Sequence, residues 1–431
     1  MSGVNFFNKL PRTRLYFKPV ETFIKSVRHL PKLKTRGKIS RKFEAEFSRH
    51  SQTRHAVSFP HARVALHYIL KHLNLPAGSE VILTPVTVPD LINVFLSFNL
   101  RPVFVDFEHH SCNINYSLIE QNINPKTRLL FITHLSGIPS EMKQIEKLAE
   151  KYKLKIIEDA SQALGAGIYG QALGSFGFAS IFSISTLKTV ATYHGGMACT
   201  NDDRLASYLK DCATALPLPS PLQFLEYFIR DNAFFLATQR KLFSLLTYYA
   251  VLIGESLTPK LLKDVQSGNI LARDTTLYAL QKRTALPEQL FIQYTEYQAD
   301  LGLLALEHLQ EENNKRRELS LLLYELLEQK NINGLPKLPQ GESSTFWRFP
   351  LFVENPSHFK TFLRNKYIDC SNTNLICMSR EKMFVEIARA CPNAETFTDR
   401  AVFLPVHSSF SKTDMRSIAT VVAEYFRQDG V

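Results

Sequence analysis

Between residues 80 and 200 the chain alternates short apolar runs with helical stretches, and this pattern constrains its fold more than any other feature. Residues 80–84 (EVILT), closed by Pro85, read as a strand, and Asp90 is the expected cap of a helix over 91–98. The runs at 102–106, 128–133 and 154–158 read as further strands, the first ending in Asp106 and the second running into His134. Ser140 is the expected cap of a helix that reaches Tyr152, with an acid at its start and a lysine near its end, as the helix dipole favours. Residues 181–183 and 197–200 look like one more pair of strands. Strands separated by helices of about 10–15 residues predict a mainly parallel, doubly wound sheet.

Ligands of such sheets bind beyond the carboxyl ends of the strands. Here those ends carry residues 84–87, Asp106, His134, Asp159 and Ser183. Fold logic alone makes these the candidate site residues.

Downstream the character changes. Residues 214–290 are rich in Phe, Leu and Tyr, with prolines at 217, 219, 221, 259 and 287, and read as several helices. Residues 296–330 predict one long amphipathic helix with Glu311, Glu312, Lys315, Arg316 and Arg317 on its wet side. The last hundred residues or so mix strand (347–353) and helix (358–365, 412–427) as a smaller α+β unit. The expected division is a basic arm (1–41), a large α/β domain (42–330) with a helical insertion at about 214–290, and a small domain (331–431).

Charge is uneven. Residues 1–50 hold 13 Lys and Arg against three acids, whereas the remaining 381 carry 38 basic and 37 acidic groups. The chain is thus a near-neutral globule with a basic arm. The arm is either solvated or a weak electrostatic tether to an anionic membrane face. No helix-turn-helix, zinc or RNP pattern supports nucleic acid as a partner. The arm has no continuous apolar segment of a secretory signal. The most apolar charge-free run, 242–254, has 13 residues where a membrane span needs about 20, so it predicts a buried or interfacial helix. The six cysteines include no C-x-x-C pair, which argues against a zinc ribbon or a thioredoxin motif and for reduced thiols in a cytoplasmic protein, with no metal site.

The sharpest chemistry lies in residues 155–200: KIIEDASQ at 155–162, FSISTLK at 182–188 and HGGM at 194–197. An acid at a strand end, then about 30 residues on a Ser-x-x-x-x-Lys, suits pyridoxal phosphate (PLP). That cofactor needs a lysine for a Schiff base, a carboxylate to keep its pyridine nitrogen protonated, and hydroxyls or backbone amides for its phosphate. Lys188, Asp159 and Ser183 are the candidates for these three roles. Taken singly, each has a plainer reading: a solvated loop lysine, a helix cap and a strand-end hydroxyl.

Taken together, the motifs resemble the DegT/DnrJ/StrS family of sugar aminotransferases, which have the fold type I PLP-transferase architecture. The resemblance runs from about residue 42 to 426, apart from much of 214–290. It rests on VILTPVTVP (81–89), PVFVDF (102–107), THLSGIPSEM (133–142), IIEDASQALGA (156–166), FSISTLK (182–188), QADLGLLAL (298–306), CPNAE (391–395) and LPVHSSFS (404–411). It implies Lys188 as the cofactor lysine and proton carrier, Asp159 on the pyridine nitrogen, Gln162 near the ring hydroxyl and Ser183 on the phosphate. It also places His134 near the active site, where a structural histidine is an equal alternative. It implies a homodimer.

Several positions depart from the family pattern. His61, Ala62 and Arg63 stand where Ser-Gly-Thr usually cradles the phosphate, and Arg63 would offer a charge instead. Val88 stands where a ring-stacking aromatic is common, His194 replaces an acid, and 291–293 reads Phe-Ile-Gln instead of Asn-Tyr-Arg. The implied function is transfer of an amino group from glutamate or glutamine to a nucleotide-linked keto sugar, for polysaccharide or other amino-sugar synthesis. A nucleotide diphosphate calls for basic groups near the cleft, which Arg348 and parts of the arm are available to supply. The rival is an inactive relative that binds a sugar nucleotide or a partner. For the insertion two readings stand: a larger core or dimer interface, or an interfacial helix that joins the arm at a membrane.

Overall fold

The computed structural model describes residues 9–14, 16, 36–250, 282–373 and 375–428. In chain order the first part runs α1 (Lys38–His50), β1 (His55–Phe59), α2 (Ala62–Leu73), β2 (Glu80–Leu83), β3 (Val86–Thr87), α3 (Pro89–Ser97), β4 (Arg101–Phe104), α4 (Tyr116–Gln121), β5 (Thr127–Thr133), α5 (Met142–Lys151), β6 (Lys155–Asp159), β7 (Gly167–Ile168), β8 (Gln171–Ala172), β9 (Ala179–Ser183) and β10 (Gly196–Thr200). Then come α6 (Asp203–Ala215), α7 (Pro221–Thr238), α8 (Glu296–Glu328), β11 (Glu342–Ser343), β12 (Phe349–Phe352), α9 (Pro356–Asn365), β13 (Ser371–Asn372), β14 (Ile376–Cys377), α10 (Pro392–Arg400), β15 (Ala401–Leu404) and α11 (Lys412–Gln428).

Seven strands form the central sheet in the order β1-β10-β9-β6-β5-β2-β4. The run from β9 to β4 is parallel, and β10 is antiparallel to both its neighbours. Side chains alternate across the sheet: Leu129 and Phe131 of β5 join one apolar layer, Leu130 and Ile132 the other. A strand buried on both faces reads as a continuous apolar run, which is why these strands stand out in the sequence. The sheet is α/β and mainly parallel, as expected. β12, β15 and β13 make a separate small sheet, and β14 pairs with β3, tying the C-terminal part to the strand ends of the large sheet.

Local starts differ from the sequence reading. Val88 caps α3 with Pro89 in its first turn, and Asp90 is buried inside the helix. α5 starts at Met142 with Glu141 as cap, while the Ser140 N–H donates to His134 Nδ1 at 3.2 Å. α8 is opened by a capping box between Thr295 and Gln298. Arg316 lies inside rather than on the wet side: its guanidinium donates to the Thr345 carbonyl, Thr189 Oγ1 and Asn313 Oδ1.

The insertion helix α7 is inverted. Leu222, Leu225, Ile229 and Leu236 form an exposed apolar stripe, at least half accessible each, while the charged Asp231 is fully buried. The part of the 242–254 run up to residue 250 continues in helical turns; the rest lies outside the described residues. No helix among the described residues is long and apolar enough to cross a membrane.

Residues 9–14 of the arm are packed rather than solvated. The Leu10 backbone bridges Tyr367 and Asp369 with two 2.9 Å hydrogen bonds. Arg12 forks Asp369 at 2.6 Å through Nε and Nη2. Lys9 Nζ donates to the Ser244 carbonyl at 2.8 Å, with the rings of Tyr248, Tyr249 and Tyr367 around it.

Candidate active site

The carboxyl ends of β6 and β9, the start of α2 and the loop after β9 enclose a cavity of about 600 Å³. Asp159 ends β6 and is buried, with Oδ1 accepting the Ser161 N–H at 3.0 Å. Burial pushes its carboxyl pKa up, while Ser161, Lys188 and His134 pull the other way. Gln162 also lines the cavity, and its Oε1 accepts the Ser136 N–H at 2.7 Å, which fixes the amide.

Lys188 sits in the loop between β9 and β10. That loop is held by a 2.9 Å bond from the Lys188 N–H to the Ser185 carbonyl and by the Thr186 N–H on the Tyr193 carbonyl. Lys188 Nζ lies 3.9 Å from the centroid of the Trp347 ring, and Trp347 Nε1 donates to the Leu187 carbonyl at 3.1 Å. Burial drives the Lys188 amine down to about 7, Arg348 adds to the effect, and Asp159 opposes it. Desolvation beside a cation favours the neutral, nucleophilic amine.

Ser183 and Ser185 place their hydroxyls 3.1 Å apart and line the same cavity as Ala62 and Arg63 at the start of α2. His61 caps that helix with extended backbone and no side-chain cap; its carbonyl takes the Val64 and Ala65 N–H groups, and no side-chain cap oxygen competes for the amides of Ala62 and Arg63. Gly196 packs directly against this turn. A Cβ there would collide with backbone atoms of His61 and Ala62. Hydroxyls at a helix start, a buried carboxylate and a lysine of depressed pKa form a donor set that fits PLP.

The remaining candidates are placed as follows. The Arg63 guanidinium borders the cavity but pairs with Asp90 at 2.7 Å, so the charge is tied to α3. Val88 lines the cavity as an exposed aliphatic wall. His134 is not among the lining residues: it is fully buried, 3.2 Å from Glu158 Oε2 through Nε2. Glu158 also accepts the N–H groups of Gly174, Phe176 and Gly177, so the pair belongs to a buried structural network. His194 lines the cavity and burial lowers its pKa to about 4, so it is neutral there.

Sequence reasoning missed the contribution of α7. Arg230, Asp231 and Phe234 line the same cavity. Asp231 accepts from Thr186 Oγ1 at 2.5 Å and from Arg230 Nε at 2.7 Å, and Arg230 Nη2 lies 3.2 Å from the same threonine oxygen. The signal was an adjacent Arg-Asp pair in a helix whose other residues are mostly apolar.

This sheet and site define the class of fold type I PLP enzymes. The chain belongs to the DegT/DnrJ/EryC1/StrS aminotransferase family, whose sequence model matches residues 21–214 and 292–423. Aminotransferases of this family use PLP. The chain is 35% identical to GDP-perosamine synthase of Escherichia coli O157:H7 over 173 residues, which is 40% of this chain and 48% of that protein. It thus spans about half the length of such curated relatives. A longer match, 27% identical over 388 residues, covers 90% of this chain and 88% of a UDP-N-acetyl-3-dehydro-alpha-D-glucosamine 3-aminotransferase of Acidithiobacillus ferrooxidans. Among solved structures, S. venezuelae DesV in complex with a ketimine intermediate superposes with a TM-score of 0.73 at 22% identity, over 97% of this chain and 98% of DesV.

Proposed function

We propose that this chain is a PLP-dependent aminotransferase that moves an amino group from glutamate or glutamine to a nucleotide-linked keto sugar, for polysaccharide or other amino-sugar synthesis. The observation that carries the reading is the convergence of Lys188, Asp159 and Ser183 on one cavity at the strand ends. Relatives named for amino sugars on GDP and UDP support the acceptor class.

In this reading Lys188 holds the cofactor and then moves the proton through Nζ, which its depressed pKa lets it do near neutrality. Asp159 keeps the pyridine nitrogen protonated. Gln162 would offer Nε2 to the ring hydroxyl, because Oε1 already accepts the Ser136 N–H. Ser183 and the amides of Ala62 and Arg63 would hold the phosphate. Val88 would border the ring with an aliphatic side chain in place of a stacking one. Trp347 and Phe234 keep water from the lysine. When bound, PLP supplies the electron sink that makes the donor's Cα–H acidic. His134 acts as a positioning residue through Glu158. The two-domain division at 330/331, a cytoplasmic homodimer, and peripheral membrane contact through the arm and the outer face of α7 complete the proposal.

The test is the absorption spectrum of the purified protein with added PLP. A near-visible band in the wild type that glutamate bleaches, and that Lys188→Ala lacks, is the expected result. A chain that stays colourless at high PLP is an inactive relative instead.

A further inference from the structure

Helix α7 presents two unlike faces. Most of the exposed large apolar side chains among the described residues lie between 218 and 249. On α7 itself Leu222, Leu225, Ile229 and Leu236 recur at helical spacing and form one stripe about 21 Å long. Leu245 and Leu246 follow, also exposed. Glu226 and Asp231 are the only acids from 216 to 254, and Asp231 is buried. The basic arm is fastened at this segment: Lys9 Nζ sits on the carbonyl of Ser244, the residue before Leu245, with the rings of Tyr248 and Tyr249 around it. Residues 1–50, which include the arm, carry 13 Lys and Arg against three acids. The opposite face of α7 grips the loop that carries Lys188. Asp231 stands two positions beyond Ile229, about 200° around the helix, and accepts Thr186 Oγ1 at 2.5 Å. Phe235 joins Ala191 and Tyr193 of the same loop in a small apolar cluster with Tyr297 and Leu301 of α8. The loop is thus held both before and after Lys188, and Phe234 and Ala237 line the cavity between.

We propose that a bilayer containing anionic lipid is the partner of the outer face, and that docking there raises the affinity of the Lys188 cavity for PLP. The proposal rests on the aminotransferase reading and its membrane contact, and adds a coupling between them. An apolar helix face fastened to a cation-rich arm is the pattern of a helix that lies in the plane of a membrane interface. A second copy of the chain would bring its own basic arm against the first, whereas anionic headgroups bring the opposite charge. The coupling follows from the two faces. A surface that binds the seated helix shifts the population toward the state in which Asp231 holds Thr186 and Phe235 holds Tyr193. That state fixes the Lys188 loop before the cofactor arrives, so less ordering remains to be done on binding. By linkage the effect is reciprocal, and PLP raises the affinity for the bilayer by the same factor. α7 lies outside the segments that the family model matches, so the coupling is built from a part particular to this chain.

The experiment co-sediments the full chain with phosphatidylcholine vesicles and with vesicles of equal parts phosphatidylcholine and phosphatidylglycerol. Neither lipid has a primary amine for PLP to attack, so PLP affinity can be read from the absorption band in the same mixtures. The anionic vesicles bind the chain and release it as salt rises, and the plain ones bind it more weakly. Leu225→Ser combined with Ile229→Ser, both at exposed positions, weakens vesicle binding about tenfold or more with circular dichroism unchanged. PLP tightens vesicle binding about fivefold, and anionic vesicles tighten PLP binding by the same factor. Asp231→Asn, or Thr186→Val from the side of the loop, keeps the vesicle binding and reduces that factor toward one. No vesicle binding, vesicle binding that the serine pair leaves intact, or PLP binding equal with and without vesicles overturns the proposal. So does a concentration-dependent dimer that the serine pair dissolves, which assigns the face to a second copy. A chain that binds vesicles yet stays colourless with PLP in their presence refutes the aminotransferase reading and the coupling with it, and leaves a lipid-binding helix.

Discussion

Asp231 accepts a 2.5 Å hydrogen bond from Thr186, two residues before Lys188. Through this contact the insertion helix holds the loop that presents the reactive amine. Removing the carboxylate takes away one partner of Thr186 and one of Arg230. Asp231→Ala should cost about 3 kcal/mol or less, since Arg230 keeps some exposure, and should weaken PLP binding about tenfold. Thr186→Val should show a smaller loss of the same kind. Urea unfolding and PLP titration measure both effects. Unchanged PLP affinity in Asp231→Ala would disconnect the insertion from the site.

The low pKa of Lys188 sets a pH dependence. The neutral amine is the form that attacks a carbonyl, so the rate of colour formation on adding PLP should rise with pH to about 7 and then level off. Arg348→Gln removes a positive neighbour, so it should move that midpoint upward. The sign for stability follows by linkage. Between about 7 and 10.5 the unfolded chain binds the extra proton, so the cofactor-free protein should gain stability as pH rises through that window. Lys188→Met should flatten this slope. An identical slope in the variant would mean that another group causes it.

Gly196 tests the phosphate end. A Cβ there meets the backbone of His61 and Ala62, which cannot swing aside as a side chain would. Gly196→Ala should lose about 1–3 kcal/mol of stability and shift the start of α2, with weaker PLP binding. Calorimetry with and without PLP decides it: equal stabilisation by the cofactor in variant and wild type would show that this turn does not grip the phosphate.

His134 separates a positioning role from a chemical one. His134→Ala should cost about 1–3 kcal/mol by leaving Glu158 and the Ser140 amide short of a partner. The protein should still colour with PLP, and the glutamate-driven bleaching should slow by less than about tenfold. A fall of about a hundredfold or more, at unchanged stability, would instead mark His134 as an acid or base of the reaction.

Most of the sheet was legible because each strand is buried on both faces, and such runs are unmistakable between helices. Asp159 and Ser183 stood out as strand ends of a doubly wound sheet, Lys188 through its spacing from Ser183, and Gln162 only through the family resemblance; all four line one cavity. His134 could not be settled that way, since a strand end does not say which side of the loop a ring takes. Its partner Glu158 lies 24 residues on. Asp90 looked like a cap, but its true partner is Arg63, 27 residues earlier. The role of α7 was hidden by its inversion. An Arg-Asp pair in an apolar helix suggests a wet face, yet here the leucines face outward and the charges face the cavity. Composition described the arm as a charge and gave no hint of where it would dock.

That docking has a consequence for the order in which the parts of the molecule come into being. Arg12 reaches Asp369 across 357 residues of chain. A ribosome makes one end of this tie early and the other only after the whole central sheet has emerged. The Asp159 and Ser183 strand ends can assemble from the first half of the chain, whereas the tie to Asp369 forms only once the C-terminal part has folded back on the arm. Local opening of that part would undo the arm contact and strip Trp347 and Leu375 from the Lys188 cavity, while the strands that carry Asp159 and Ser183 kept their sheet, so the arm contact and the sheet should differ sharply in amide exchange.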